Sequence, residues 1–243
     1  MLIEPYITAP STEPSTHQER AAPTEPLTRD DPMIVLGFRC MQRQYAELVA
    51  HGPRPALETS VEDVHRMRIA LRRLRVALRL FGHMLPSHDA ETLAHELRWL
   101  ARRLGTVRDL DVHAHELRAH LEHASAEHAR ELGTYELDLR RQRTAARKEL
   151  RDVLASERYR AFMATLERTV GRGPSPAASR RFKTFRIRDG ARACLRRSRK
   201  RVVKLGRKLD ARTNADALHR LRIRAKRFRY ELEFFAEPYP ALR

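Results

Sequence analysis

The sequence predicts an all-α protein, and three observations support that fold class. Apolar residues recur at helical spacing through most of residues 33–236, with short interruptions that contain glycine, proline or serine. Glycine is scarce, at 9 of 243 residues, and aromatic residues make up only 6%, which argues against a barrel, a sandwich or a doubly wound sheet. Hydrophobic residues make up 42% of the chain, enough to bury the core of a helical bundle.

The helices follow one another with short connections. The periodicity predicts helices over 33–50, 60–84, 87–104, a long stretch from 108 past 132 and on to about 155, then 156–170, 178–209 and 214–236. Ser60 with Asp63 forms a capping-box pattern, and Ser87 and Ser156 are candidate N-caps. Gly105 is the expected left-handed end of the third helix.

Glycine and proline clusters divide the chain further. The run GRGPSP at 171–176 is the clearest internal linker, and it separates a first half of about 33–170 from a second half of about 177–243. Residues 210–213 separate the last two helices. Gly133-Thr134 either breaks or only kinks the long fourth stretch.

The chain is strongly basic, with 49 Lys and Arg against 31 Asp and Glu, a net charge of +18 and a pI near 11.0. Residues 1–32 are instead acidic, with a net charge of −4, and are rich in proline, serine and threonine. They are predicted to be a disordered tail, which leaves +22 on 33–243. This balance predicts a polyanionic partner, and a general bias toward arginine is the alternative explanation.

The sequence argues against several classes of protein. No stretch approaches the roughly 20 apolar residues that a membrane span needs, and the start MLIEPY does not resemble a secretory signal. Two cysteines, Cys40 and Cys194, are too few for a disulfide framework, so a reducing cytoplasm is the expected location. No Walker A loop or nucleophile elbow occurs, so neither an enzymatic activity nor a cofactor is expected.

One helical segment occurs twice. HRMRIALRRLRVALRLF at 65–81 and HRLRIRAKRFRYELEFF at 219–235 are identical at eight of 17 positions and lie 154 residues apart. Matched histidine, isoleucine, leucine and phenylalanine positions, beside the arginines, indicate an internal duplication.

On a helical wheel at about 100° per residue, each copy has a basic stripe flanked by apolar residues. In the first copy the stripe is His65, Arg68, Arg72, Arg75 and Arg79, with Met67, Leu71, Leu74, Leu78 and Phe81 as the core face and Ile69, Val76 and Leu80 as a narrower strip. In the second copy the stripe is His219, Arg222, Lys226 and Arg229, with Leu221, Phe228, Leu232 and Phe235 as the core face and Ile223, Tyr230 and Phe234 as the strip. Glu233 takes the place of Arg79. Apolar residues on both sides favour an enclosed anion-binding groove over a surface paired with acidic neighbours.

These residues resemble the paired signature helices of the CHAD family, the conserved histidine α-helical domains. The segment 97–112 resembles the family's first-half motif, with Leu104, Gly105, Arg108, Asp109 and Asp111 at the motif positions, and the segments 156–170 and 218–235 also read like family sequence. The resemblance implies two pseudo-twofold-related helical bundles around a basic channel that binds inorganic polyphosphate, in some members at polyphosphate granules. The binding residues predicted from this resemblance and from the stripe are His65, Arg68, Arg72, Arg73, Arg75, Arg79, His219, Arg222, Lys226, Arg227 and Arg229.

The chain departs from the family pattern after residue 236, where no second copy of the 97–112 motif occurs. We expect the second bundle to be incomplete, which would leave Phe228, Leu232 and Phe235 with fewer packing partners.

Three further features have simpler explanations. His113, His115, His120, His123 and His128 scatter around the helix and favour surface positions over a metal site. Arg108, Asp109 and Asp111 are expected to cap the start of the fourth helix rather than to act as a catalytic pair.

The third feature is the region 180–208, which has fourteen bases against one acid. Three interpretations of this region stay open: a helix whose charges face solvent, a second basic surface of the same anion-binding site, or a surface that binds nucleic acid. The sequence therefore predicts a polyphosphate-binding module, with nucleic-acid binding as the alternative and a scaffold for an acidic protein as a third possibility.

Overall fold

The computed structural model describes residues 25–53, 59–209 and 215–242, and it confirms the all-α fold. The helices are α1 (Met33–His51), α2 (Val61–Phe81), α3 (Ser87–Leu121), α4 (Ala126–Ala155), α5 (Glu157–Leu166), α6 (Pro176–Arg181), α7 (Ile187–Gly206) and α8 (Ala215–Phe235). A π-helical turn follows α5, and short 3₁₀ turns follow α2 and close the described chain. No helix among these residues is long and apolar enough to cross a membrane.

The core lies between α1, α2 and α3, and α5 closes it. The predicted core face of α2 is confirmed, because Met67, Leu71, Leu74 and Phe81 are all buried there. The helices α3 and α4 form a long antiparallel pair beside this core. The second half of the chain contributes α7 and α8, which reach the core through Ile187, Phe234 and Phe235.

The core face of α8 is less covered than that of α2. Phe235 is fully buried, as its counterpart Phe81 is. Phe228 is only half-buried, whereas its counterpart Leu74 is buried, and Leu218 near the start of α8 is 51% exposed. The predicted pseudo-twofold relation between the two halves stays a prediction.

The predicted end of the third helix at Gly105 is wrong. The helix α3 continues through Gly105 to Leu121, and α4 begins after Ser125, whose hydroxyl accepts a hydrogen bond from the His128 backbone N–H. A Cβ at Gly105 would lie 3.2 Å from Nη1 of Arg68, a contact that a small shift of this flexible side chain would relieve. The helix α4 also runs unbroken through Gly133. Ser87 does not cap α3, which begins after Pro86 without a side-chain cap.

The capping role predicted for Arg108, Asp109 and Asp111 is also wrong, because all three lie inside α3. The side chain of Asp111 is 1% exposed and is held by two arginines of α4. Arg143 Nε lies 2.6 Å from one carboxylate oxygen, and Arg147 Nη2 lies 3.0 and 2.8 Å from the two oxygens. This ion-pair cluster joins α3 to α4.

Most of the predicted tail, residues 1–24, lies outside the described residues, but 25–32 pack against the domain. Leu27 is buried, and its N–H donates a 3.0 Å hydrogen bond to Oε1 of Glu237. Arg39 of α1 pairs with the same carboxylate. The prediction placed 25–32 in the tail because the contacts that hold them lie far away in the chain.

The single helix predicted over 178–209 is interrupted. Residues 182–186 separate α6 from α7, and this loop pairs with the chain before α1. Met33 N–H donates to the Phe185 carbonyl at 2.8 Å, and Ile187 N–H donates to the Asp31 carbonyl at 2.9 Å. The backbone thus exchanges helical hydrogen bonds for hydrogen bonds to a distant segment.

In the predicted linker, Gly173 has a φ of +78°, a conformation that favours glycine. The predicted break at 210–213 lies outside the described residues.

Candidate functional site

The two copies of the repeated segment lie side by side, on α2 and α8, and enclose a groove of about 520 Å³. The groove is lined by Arg68, Arg72, Arg75, Val76, Arg79, Asp109, His219, Arg222, Ile223, Lys226, Arg227 and Tyr230. Eight of the eleven predicted binding residues are in this lining. Residues 154 positions apart in the sequence therefore contribute to one surface.

Local sequence and packing position the two helices that line the groove. Ser60 and Asp63 form the predicted capping box, so α2 starts at a defined residue. The apolar face of α2 then packs on α1 and α3, which leaves its basic stripe toward α8. At the other end of the groove, the rings of Phe81 and Phe234 pack with their centroids 6.4 Å apart and hold α8 against α2.

Tyr230 forms the base of the groove. Its side chain is 2% exposed, and Arg72 Nη1 donates a 3.4 Å hydrogen bond to its hydroxyl. The guanidinium groups of Arg73 and Arg229 lie over its ring, 5.8 and 5.0 Å from the centroid. Burial raises the pKa of the Tyr230 hydroxyl, but the hydrogen bonds and charges of Arg72 and Arg229 outweigh burial, so the pKa is lowered overall.

Three predicted residues lie outside the groove lining. Arg73 and Arg229 both face Glu233, with nitrogen–oxygen distances of 2.8 and 3.6 Å. His65 also lies outside the lining. Glu233, the one acidic residue in the duplicated stripe, thus pairs with the two arginines that lie over the Tyr230 ring and not with the arginines that line the groove.

Cations dominate the groove. Seven Arg and Lys side chains line it with one carboxylate, Asp109, whose Oδ1 lies 3.4 Å from Arg68 Nη1. Burial, followed by the charges of Arg222 and Arg72, lowers the pKa of the Lys226 ammonium. The crowding of like charges is therefore already unfavourable before any ligand binds.

The same crowding affects the other end of the groove. Burial and then the charges of Arg79 and Arg98 lower the pKa of Arg75, and burial and then Arg79 lower the pKa of Arg227. Beside these arginines, burial raises the pKa of the Glu231 carboxyl, although the hydrogen bond from Ser198 and the charges of Arg79, Arg201 and Arg227 act in the opposite direction. A bound anion would relieve this repulsion.

The other candidate sites predicted from the sequence, the basic region of α7 and the histidine-rich segment, lie outside the groove. The basic residues of α7 are exposed, and none of them lines the groove. Among the described residues, no group of three or more His, Cys, Asp or Glu side chains is placed to hold a metal ion. His113, His115, His120, His123 and His128 lie on the surface at the far end of the α3–α4 pair.

Solved structures with the same fold exist. One is PptA from Streptomyces chartreusis, with a TM-score of 0.68 and 17% identity over 85% of this chain and 76% of that chain. Another is the CHAD domain from the plant Ricinus communis, with a TM-score of 0.59 and 25% identity over 91% of this chain and 71% of that chain. No curated protein sequence matches the chain.

The family model of the CHAD domain matches residues 39–242, a span that includes both groove helices and every residue of the lining. The chain therefore belongs to the CHAD-domain family.

Proposed function

We propose that the protein binds inorganic polyphosphate in the groove between α2 and α8. The observation that carries the proposal is the excess of cations there, with seven Arg and Lys side chains against one carboxylate. Planar guanidinium groups form paired hydrogen bonds to phosphate oxygens, and they lose less hydration than ammonium groups on binding. Membership of the CHAD family supports the same ligand class.

The base of the groove favours polyphosphate over nucleic acid. Single-stranded nucleic acids gain much of their affinity from bases that stack on exposed aromatic rings. Tyr230 is the one aromatic residue in the lining, and its ring is buried beneath Arg73 and Arg229. A linear phosphate chain has no base to stack and needs only the cations.

The proposed role of the protein is binding without catalysis. The groove would hold polyphosphate and thereby target the protein to it, including at polyphosphate granules. The exposed basic surface of α7 supports nucleic-acid binding as the second candidate, since its charge alone would attract any polyanion.

A competition assay tests the proposal against this second candidate. Long-chain polyphosphate and single-stranded DNA of equal total charge are titrated against the full chain at near-physiological salt. We expect polyphosphate to bind at least about 10-fold more tightly, and its affinity to fall steeply as salt rises. Equal affinity for the two polymers would contradict a specific groove.

Lys226 reports where the anion binds. Its pKa lies below the usual value of about 10.4 because of burial and the charges of Arg222 and Arg72. A phosphate chain beside it favours the charged form, so polyphosphate should raise this pKa. The measurement is a pH titration of the lysine side-chain signals by NMR, with and without polyphosphate. Lys204, exposed on α7, is the internal control, and a change at Lys204 without one at Lys226 would place the anion on α7 instead.

A further inference from the structure

A second cavity adjoins the groove on the side of α2 and α3. It has a volume of about 320 Å³ and lies between the end of α2 and the first half of α3. Arg75 and Arg79 line both cavities, so the two meet at these side chains. Neither residue is in a salt bridge within the described part of the chain, which leaves both guanidinium groups available on either side.

Small residues keep this second cavity open. Gly82, Ala90 and Ala94 line it, and a Cβ on Gly82 would contact Leu78 and the Ala90 methyl at 3.5–3.9 Å. Because Ala94 lines the cavity, a larger side chain at this position would extend into it.

Two basic groups that do not belong to the repeat line the cavity. Arg98 of α3 lies close enough to Arg75 for its charge to disfavour the Arg75 cation. His83 follows α2, and the edge of its ring packs against Phe182 with the centroids 6.0 Å apart. Glu91 is the one carboxylate in this lining. The basic surface thus extends from the groove into a cavity that no α8 residue lines.

We propose that this second cavity is a continuation of the polyphosphate site, with Arg98 and His83 binding a part of the chain that short anions do not reach. The inference rests on the proposed function. From Arg68 to Arg79, α2 rises about 16 Å at about 1.5 Å per residue, and His83 extends the basic surface to about 22 Å. A short anion at Arg75 and Arg79 reaches only the place where the two cavities meet, whereas a long linear anion can contact Arg68 in the first and His83 in the second at once. The second cavity therefore makes the protein selective for chain length.

The test compares long-chain polyphosphate with tripolyphosphate on the wild-type chain and on Arg98→Ala. Removing one charge-assisted phosphate contact should weaken long-chain binding by about 10-fold. Tripolyphosphate, which fits within the first groove, should bind both proteins within about 2-fold of each other. A second variant, Ala94→Leu, fills the cavity without changing charge and should show the same selective loss.

Arg141→Ala is the matched control, because it removes one exposed arginine from α4 that lines neither cavity. If Arg98→Ala weakens both ligands equally, or no more than Arg141→Ala does, the second cavity is not part of the site and the proposed function still stands. If wild-type protein fails to bind either phosphate, the proposed function fails and this inference falls with it.

Discussion

Replacing Arg72 and Lys226 together with glutamate should weaken polyphosphate binding by at least about 100-fold, since each charge-assisted contact contributes about 1.5–3 kcal/mol. The two residues project into the groove from opposite walls, so the variant changes the local charge by four units at its centre. Isothermal titration calorimetry at near-physiological salt measures the loss. Arg196→Glu with Lys200→Glu is the control, because it makes the same charge change on the exposed surface of α7.

The same double variant separates binding from folding. Since Arg72 lowers the pKa of Lys226, the pair is mutually repulsive, and each new glutamate faces cations such as Arg222 and Arg75. We expect the free energy of unfolding to stay within about 1 kcal/mol of wild type. If the α7 control loses as much binding as the groove variant, the duplicated helices are not the site.

Asp111→Asn should destabilise the fold by about 2–3 kcal/mol, because it removes the charge that two arginines share. The Asp111 carboxylate is buried, and asparagine cannot accept the same three hydrogen bonds from Arg143 and Arg147. The arginines are themselves about a third and a quarter exposed, so water compensates for part of the loss. Urea denaturation followed by circular dichroism gives the difference in the free energy of unfolding.

The control for this prediction is Asp152→Asn, which removes an exposed carboxylate from α4. Its effect should stay within about 0.5 kcal/mol, as for most surface substitutions. Equal midpoints for the two variants would show that the Asp111 cluster does not stabilise the α3–α4 pair.

The sequence predicted those helix boundaries that depend on local chemistry. Ser60 and Ser156 cap their helices as expected, because a hydroxyl reaches backbone N–H groups within three residues. The predicted end at Gly105 was wrong because α3 packs along its length against α2 and α4, and this packing outweighs the low helix propensity of one glycine. The loop at 182–186 was missed because its hydrogen-bond partners precede α1.

The part of the candidate site that could be predicted from the sequence lies in the two repeated segments. Register placed Arg68, Arg72 and Lys226 on two matched basic stripes, and the structure brings these stripes together in one groove. The pairing of Arg73 with Glu233 depends on the relative rotation of α2 and α8, which a helical wheel does not contain. The pairing of Arg229 with Glu233 lies within α8 at i, i+4 spacing and could have been predicted from the sequence. Arg98 and His83 were missed because they lie outside both repeats. The pairing of Asp109 with Arg68 was missed because it depends on how α3 crosses α2.

The helix α8 is anchored at one end. Its buried residues, Tyr230, Glu231, Phe234 and Phe235, all lie in its last six positions, whereas its first half has none. Opening of that first half exposes little apolar surface, so its local unfolding free energy is far below that of α2. His219 and Arg222 lie on this weakly held half. An anion that joins them to Arg68 would suppress fraying of α8, so ligand affinity and helix order are thermodynamically linked.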